Sequence, residues 1–445
     1  MKPWMICHNG NLKACSKAYS AILNYINYVP VCSKDKLENY NAIELIVDKT
    51  IKGISITVSD SDGENQSIII KGEDDAHLLY AVSDFKNIYL PYARNAEKHL
   101  YPYFVNELFT KPLKEYNYSC VPTVKDRGIW LWGYTVYDYR KFIDNMLELK
   151  FNTLIVWNDD LPINIKEVID YAHQNYVKVY LGFAWGWDTF APSNINDEYI
   201  DGIAKKVIKT YEKDYNCLDL DGIYFQSFTE HNNEYIGGVL VAEAVTKLVN
   251  GVGGKLLEKY SNLKLLFGLH ATSVINRLEH IKNVDKRISI IWEDVGAFPF
   301  NYITTKIDGF EKTVEDTKKT VTLRGCSDGA VLKGAICLDW GTFKHYEGSY
   351  VMGEADKNYI KHRADEKREV LRIIQAGWLK NGKYALEVIK NFEYNSMVTC
   401  LVEDGMFEEI VSLPTALYSA MLWNSNRTYE DVIFEVAMRK DVDFV

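Results

Sequence analysis

From residue 127 to the C-terminus, apolar runs alternate with amphipathic stretches. Runs suited to a strand buried on both faces occur at 128–134 (GIWLWGY), 152–158 (NTLIVWN), 177–185 (VKVYLGFAW), 221–227 (DGIYFQS), 264–270 (KLLFGLH), 288–294 (ISIIWED), 331–340 (VLKGAICLDW) and 396–404 (SMVTCLVED). Helical patterns lie between them, among them Phe142/Met146/Leu149 and Ile165/Val168/Ile169/Ala172, and a last helix near 413–422 follows the eighth run. Eight strand-helix repeats over ~310 residues are the arithmetic of a (β/α)8 barrel. A doubly wound open sheet would want a glycine-rich phosphate turn after its first strand, and GYTVYDYR is not one. The later GVGGKLL at 251–257 lacks P-loop spacing.

The first part of the chain follows another rhythm. An amphipathic stretch with Ala18, Ile22, Tyr25 and Ile26 precedes short strand patterns at 43–47, 53–59 and 66–72, the last two separated by the turn-rich SDSDGEN. Leu78, Leu79, Val82, Phe85 and Ile88 then fall near helical spacing over 74–90, which predicts a helix packed on that sheet. The expected organisation is therefore α/β, a (β/α)8 TIM barrel over 119–445 preceded by a small α+β domain over 1–118.

Charge and cysteine usage narrow the function classes. With 51 Lys and Arg against 61 Asp and Glu, the net charge of -10 opposes nucleic-acid and anionic-membrane partners by bulk charge. Eight scattered cysteines without a CxxC spacing indicate neither a zinc site nor a disulfide framework, and they are expected to be reduced and mostly buried. The N-terminus has no continuous apolar core of a signal peptide and no run reaches ~18 apolar residues, so a cytoplasmic protein is expected. No metal or cofactor is expected either, because nine histidines form no HxH or HExxH pair. The charged run KNYIKHRADEKREVLR at 357–372 alternates in sign and is expected to be a solvated helix face. Nothing in the sequence sets an oligomeric state.

Barrel enzymes carry their chemistry at the C-terminal ends of the strands, and here those ends are rich in carboxylates and indoles. They hold Trp132, then Asn158, Asp159 and Asp160, then Trp185 and Trp187, then Gln226 and Glu230. Strands five to eight add His270, then Trp292, Glu293 and Asp294, then Asp339 and Trp340, and finally Glu403 and Asp404. Trp130 and Trp132 share a strand parity, and the later one is placed at the rim. Carboxylates can protonate or bond hydroxyls while indoles stack on C–H faces, so an uncharged, ring-shaped carbohydrate is the expected substrate. Acidic residues just after a strand also serve as helix N-caps, a role open to Asp159, Asp160 and Asp404; Glu caps poorly, which favours Glu230 and Glu293 for chemistry. Aromatic residues are 13% of the chain, and at least five of its ten Trp sit at these ends.

These features resemble the glycoside hydrolase superfamily that includes family 20 β-hexosaminidases, family 84 hexosaminidases and family 67 α-glucuronidases. The carriers are GEDDAHLLYAVSDF at the end of the first domain, DRGIW, YRKFIDNMLELKFNTLIVWNDD, IKEVIDYAHQNYVKVYLGF and the fourth strand DGIYFQSFTE. The resemblance implies a small α+β domain before a catalytic barrel, Arg127 as a sugar-hydroxyl ligand and Glu230 as general acid. Family 20 has an Asp-Glu pair where this chain has Thr229 and Glu230. The expected activity is an exo-acting glycosidase of a β-linked amino sugar or related glycoside. A family 67-like inverting hydrolase and a non-catalytic carbohydrate-binding barrel are the alternatives. Phe225 and Phe228 are expected to surround Glu230 with apolar matter and keep it protonated. Glu293, Asp294 or Asp339 would supply the second carboxylate, ~6.5–9.5 Å from the acid for inversion or ~5–5.5 Å for retention.

Overall fold

A computed structural model describes residues 2, 4–9, 12–23, 40–59, 66–93, 113–132, 136, 138–157, 161–186, 195–230, 233–271, 273–293, 310–326, 328–332, 372, 375–402, 407–408, 411–439 and 441–443. The chain forms two units, one of Met1–Pro122 with Leu147–Lys150 and Glu430–Asp443, the other of Thr123–Met146, Phe151–Tyr429 and Phe444–Val445.

The first unit contains β1 (Trp4–His8), α1 (Leu12–Leu23), β2 (Asn41–Val47), β3 (Ile54–Val58), β4 (Ser67–Gly72), α2 (Asp75–Asp84), α3 (Leu90–Ala93) and β5 (Tyr116–Cys120). Its sheet runs β1-β2-β4-β3-β5, parallel over the first three strands and antiparallel over the rest. Alternate residues Ile54, Ile56 and Val58 are buried with Ile68 and Ile70, the period-two pattern of a sheet with one face against its helices. Asp74 caps α2 by accepting the His77 amide at 2.9 Å, and Leu78, Leu79, Val82 and Phe85 are buried as the spacing predicts. A buried ion cluster ties three segments of this unit: Lys150 Nζ lies 2.5 Å from Asp84 Oδ1 and 3.7 Å from Glu435 Oε1.

The second unit is the barrel. Its elements are β6 (Asp126–Trp132), α4 (Tyr139–Glu148), β7 (Thr153–Trp157), α5 (Ile165–Gln174), β8 (Lys178–Ala184), α6 (Asp197–Thr210), β9 (Gly222–Gln226), the hairpin of β10 (Tyr235–Ile236) and β11 (Val239–Leu240), and α7 (Val241–Lys259). They continue as β12 (Leu265–Leu269), α8 (Leu278–Ile281), β13 (Ile288–Trp292), α9 (Phe310–Val321), β14 (Gly329–Leu332), α10 (Lys383–Ile389), β15 (Met397–Val402) and α11 (Leu413–Trp423). Eight parallel strands close in the order β6-β7-β8-β9-β12-β13-β14-β15 and back to β6. Each lies on one of the eight apolar runs; the seventh starts two residues early, at Gly329, and the rest of its run, 333–340, lies outside the described residues, as does most of 357–372.

Strand register decides which side chains fill the lumen. Trp130 pairs with Ile155, Ile155 with Tyr180, Gly182 with Tyr224 and Tyr224 with Leu266. With Trp157, Ile291, Val331, Met397 and Leu401, the side chains among these form one buried cluster drawn from all eight strands. By the same parity Asp126, Lys178 and Lys264 point inward at the N-terminal end, where Lys178 Nζ is 2.6 Å from Asp126 Oδ1 and Lys264 donates to the Tyr180 hydroxyl at 3.0 Å. Bulky rings need small partners here: a Cβ on Gly182 would land on the Trp157 ring.

Cys7, Cys120 and Cys400 are buried, Cys217 is exposed and Cys326 half-buried, all with free thiols. Among the described residues no helix is long and apolar enough to cross a membrane.

Two stability predictions concern ion pairs, one buried and one half-exposed. Replacing Lys150 with Met strands Asp84 and Glu435, and urea denaturation should show a loss of about 3–5 kcal/mol. A change under ~1 kcal/mol would show that the cluster does not hold the unit together. The other concerns His173, whose Nε2 is 3.0 Å from Asp221 Oδ2, while that oxygen also accepts the Val179 amide at 2.8 Å. The hydrogen bond to Asp221 raises the His173 pKa above 6.5, and bonds to His173 and Val179 hold Asp221 below 3.8 against its burial. The histidine's share is therefore complete below pH 6.5 and disappears as pH rises through its raised folded value; the aspartate's share is present above 3.8. The destabilisation caused by His173→Gln should be larger at pH 5.5 than at pH 8, and the opposite order in urea midpoints would refute the assignment.

Candidate active site

At the C-terminal mouth, strand parity turns Gln226, His270 and Glu293 inward. Gln226 ends β9, while His270 and Glu293 are the first residues past β12 and β13; the Glu293 amide donates to the Leu269 carbonyl at 3.0 Å and so prolongs the ladder. Glu293 is fully buried, and a buried carboxylate needs donors. The Tyr224 hydroxyl and Gln226 Nε2, the latter at 2.5 Å, both donate to its Oε1. His270 Nε2 lies 2.8 Å from its Oε2. Burial first, and then the charge of Glu293, push the Tyr224 phenol well above its ordinary value of 10, so it stays a donor. The glycine at 268 is what lets these groups meet, since a Cβ there would land on both the Tyr224 hydroxyl and Glu293 Oε1.

The segment after β9 carries Glu230. Ser227, Phe228 and Thr229 are buried and Glu230 is exposed. Thr229 anchors the turn: its amide donates to the Ser227 carbonyl at 2.9 Å, its carbonyl accepts the Ser273 hydroxyl at 2.6 Å, and its hydroxyl accepts the His270 amide at 3.4 Å. The loops after β9 and β12 are thus held together beside the Glu293 network. Further on, Glu234 accepts from Asn276 Nδ2 at 2.8 Å and pairs with Arg277 Nε at 2.9 Å, steadying the β10-β11 hairpin.

Several expected site residues stand elsewhere. Trp185 and Trp292 have the outward parity; Trp185 lies face to face on Phe225 with centroids 3.6 Å apart, and Trp292 is fully buried. Both pack against the outer layer instead of walling the mouth. Phe225 is outward too, stacked between Trp185 and Phe267, so it forms no apolar wall around Glu230. Arg127 is corrected as well: it sits at the N-terminal end of β6, its Nη1 donating to the Val124 and Lys125 carbonyls at 2.6 and 2.9 Å, its guanidinium 5.0 Å from the Trp423 ring centroid. It binds backbone and an indole at the end of the barrel opposite the mouth. Trp130 belongs to the lumen core, and the strand continues to Trp132, whose side chain lies outside the described residues. Asn158, Asp159, Asp160, Trp187, Asp294, Asp339, Trp340, Glu403 and Asp404 also lie outside them. Tyr224 and Gly268 were not expected in the network, although Tyr224 is two residues before Gln226 and shares its face of the strand.

A metal-capable trio does occur among the described residues, Glu73, Asp74 and His77 of the first unit. Asp74 Oδ1 there already caps α2 and pairs with His77 Nδ1 at 2.7 Å, while Glu73 accepts the Gly53 amide at 2.7 Å. These are structural bonds at the start of a helix.

A closed eight-stranded parallel barrel behind an α+β unit, with polar side chains gathered at the C-terminal mouth, is an architecture met in glycoside hydrolases. The fold matches CpGH84B, of family 84, with a TM-score of 0.55 and 14% identity over 97% of this chain and 70% of the other. It also matches the family 20 chitobiase of Flavobacterium johnsoniae, with a TM-score of 0.53 and 11% identity over 98% of this chain and 69% of that one. No protein-family model and no curated protein matches the sequence. The fold is therefore a TIM barrel with an α+β unit, similar to the folds of these two glycoside hydrolases.

The Gly268→Ala variant tests the packing of the mouth. It should lose about 1–3 kcal/mol in urea unfolding, because the new methyl displaces Tyr224 or Glu293. Wild-type stability would mean that the network is not closed over this glycine.

Proposed function

We propose that the protein is a glycoside hydrolase, exo-acting on a β-linked amino sugar or related glycoside, with 1–118 as an accessory domain and 119–445 as the catalytic barrel. The observation that carries this reading is the position of Glu230, exposed at the end of the fourth barrel strand and anchored through Thr229 to the His270 loop. In this reading Glu230 protonates the leaving glycosidic oxygen. The second carboxylate is assigned to Asp294 or Asp339, since Glu293 is fully buried with its Oε1 taken by Tyr224 and Gln226. His270 and Gln226 form the polar floor. Trp132, Trp187 and Trp340 are proposed as stacking walls, and Asn158, Asp159, Asp160 and Glu403 as ligands of sugar hydroxyls. The family 84 and family 20 folds support the amino-sugar class.

A second reading, a carbohydrate-binding barrel without turnover, is favoured by one observation: Glu230 is exposed, and Phe225 stacks on Trp185 instead of standing beside it. One assay separates the two. Across a panel of aryl glycosides including β-N-acetylglucosaminides, the wild type should turn over at least one substrate and Glu230→Gln should lose ~10²–10⁴ in kcat/KM on it. Undiminished turnover by the variant removes Glu230 as the acid. Binding of N-acetylglucosamine by a wild type inactive on the whole panel would establish the second reading.

A further inference from the structure

Gln226 is the last residue of β9 and shares its lumen face with Tyr224, which lies one layer beneath it. Its backbone is fixed on both sides: it stands opposite Ala184 on β8 and Gly268 on β12, and its main-chain carbonyl accepts the Trp185 amide at 2.9 Å. The side chain is fixed as well. Its Nε2 donates to Glu293 Oε1 at 2.5 Å, and the Tyr224 hydroxyl donates to the same oxygen. A carboxylate only accepts, and of the two ends of a primary amide only the NH2 can donate to it. Reversing the amide would set a carbonyl oxygen against a carboxylate oxygen at a residue with no exposed surface. With the NH2 turned toward Glu293, the side-chain carbonyl turns away from it. Gln226 is 4% exposed, and among the described residues nothing donates to its Oε1. Nor is that oxygen one of the polar atoms sealed from solvent without a partner. What this side chain offers at the mouth is therefore an acceptor.

We propose that Gln226 is a specificity-determining residue: its Oε1 accepts a hydrogen bond from a hydroxyl or amide N–H of the sugar at the mouth, and its bond to Glu293 is what fixes it as an acceptor. The glycosidase reading supplies the identity of the ligand; the bond between Gln226 and Glu293 alone supplies the polarity. Glu293 is a positioning residue in this arrangement, holding the amide from beneath without meeting the sugar. The consequence is selection by hydrogen-bond polarity. A ring substituent that only accepts, such as a methoxyl or a carboxylate, would leave this oxygen unpaired and is discriminated against at this position.

The experiment is a pair of measurements on the full chain. Binding is measured for N-acetylglucosamine and for analogues that each lack one hydroxyl or the acetamido group, in the wild type and in Gln226→Met. Removing the group that donates to Oε1 should weaken wild-type binding roughly tenfold, and in Gln226→Met that penalty should shrink to about twofold or less while the penalties at other positions persist. The position that couples tells whether the donor is a hydroxyl or the amide N–H. Penalties unchanged by the substitution at every position overturn the proposal. A residue that only supported the fold would weaken all the sugars alike. Should Gln226→Met not fold, Gln226→Asn takes its place: an amide one methylene shorter cannot span Glu293 and the sugar, and should abolish the same coupling. The second measurement needs no ligand. Hydrogen exchange of ¹⁵N-labelled glutamine side chains should show the Gln226 NH2 exchanging at least ~10-fold more slowly than exposed glutamines. Exchange as fast as theirs would mean that the NH2 faces the mouth, and the proposal falls. A wild type that binds none of the sugars removes the sugar contact together with the amino-sugar reading, while the exchange rates still judge the orientation of the amide.

Discussion

Burying a carboxylate is expensive unless donors surround it, and the mouth of this barrel is arranged around one such group. Glu293 Oε1 obtains its donors from Tyr224 and Gln226 on β9, and closure of the barrel brings His270, after β12, to 2.8 Å from Oε2. That demand propagates outward. Position 268 must be glycine for the groups to approach, Tyr224 must remain a phenol, and the loop bearing Glu230 inherits its anchor from the backbone of His270.

Beneath this polar layer the lumen is packed solid. Trp130, Trp157, Tyr180 and Tyr224 contribute rings that interdigitate edge to face, as in the contacts of Tyr224 with Trp130 and Trp157 at centroid separations of 6.0 and 5.9 Å. Among the described residues the lumen is filled by side chains, which leaves the loops and strand ends above the core to meet a ligand. The N-terminal end has a different character, with Asp126 paired to Lys178 and Arg324 bonded to Asp328 and to the Ile288 carbonyl. Arg127 belongs at that end too, its guanidinium donating to the Val124 and Lys125 carbonyls.

Much of the fold was legible because a parallel strand buried on both faces leaves an unbroken apolar run, and eight such runs separated by amphipathic stretches admit few architectures. The edge strands β1 and β5 of the first unit were missed, each being only five residues long. The site was less legible for a different reason. Reading strand ends as a list ignores parity: Trp292 and Glu293 are adjacent, so only one can face the lumen, and the structure gives that place to Glu293. The same alternation turns Trp185 outward onto Phe225. Tyr224 went unnoticed because inside an apolar run a tyrosine looks like packing, and its partner is 69 residues away in sequence. His270 and Glu230 were proposed from the sequence because both fall just past a strand on an expected rim.

The central claim is that this mouth is a sugar site built over the Glu293 network. The most direct measurement is a crystal structure of the full chain with N-acetylglucosamine bound. The sugar should lie at the C-terminal mouth with a hydroxyl or acetamido atom within ~3.2 Å of the His270 imidazole and the Glu230 carboxyl beside the anomeric oxygen. A sugar bound at another surface, or at the mouth with no contact to His270 or Glu230, would contradict it.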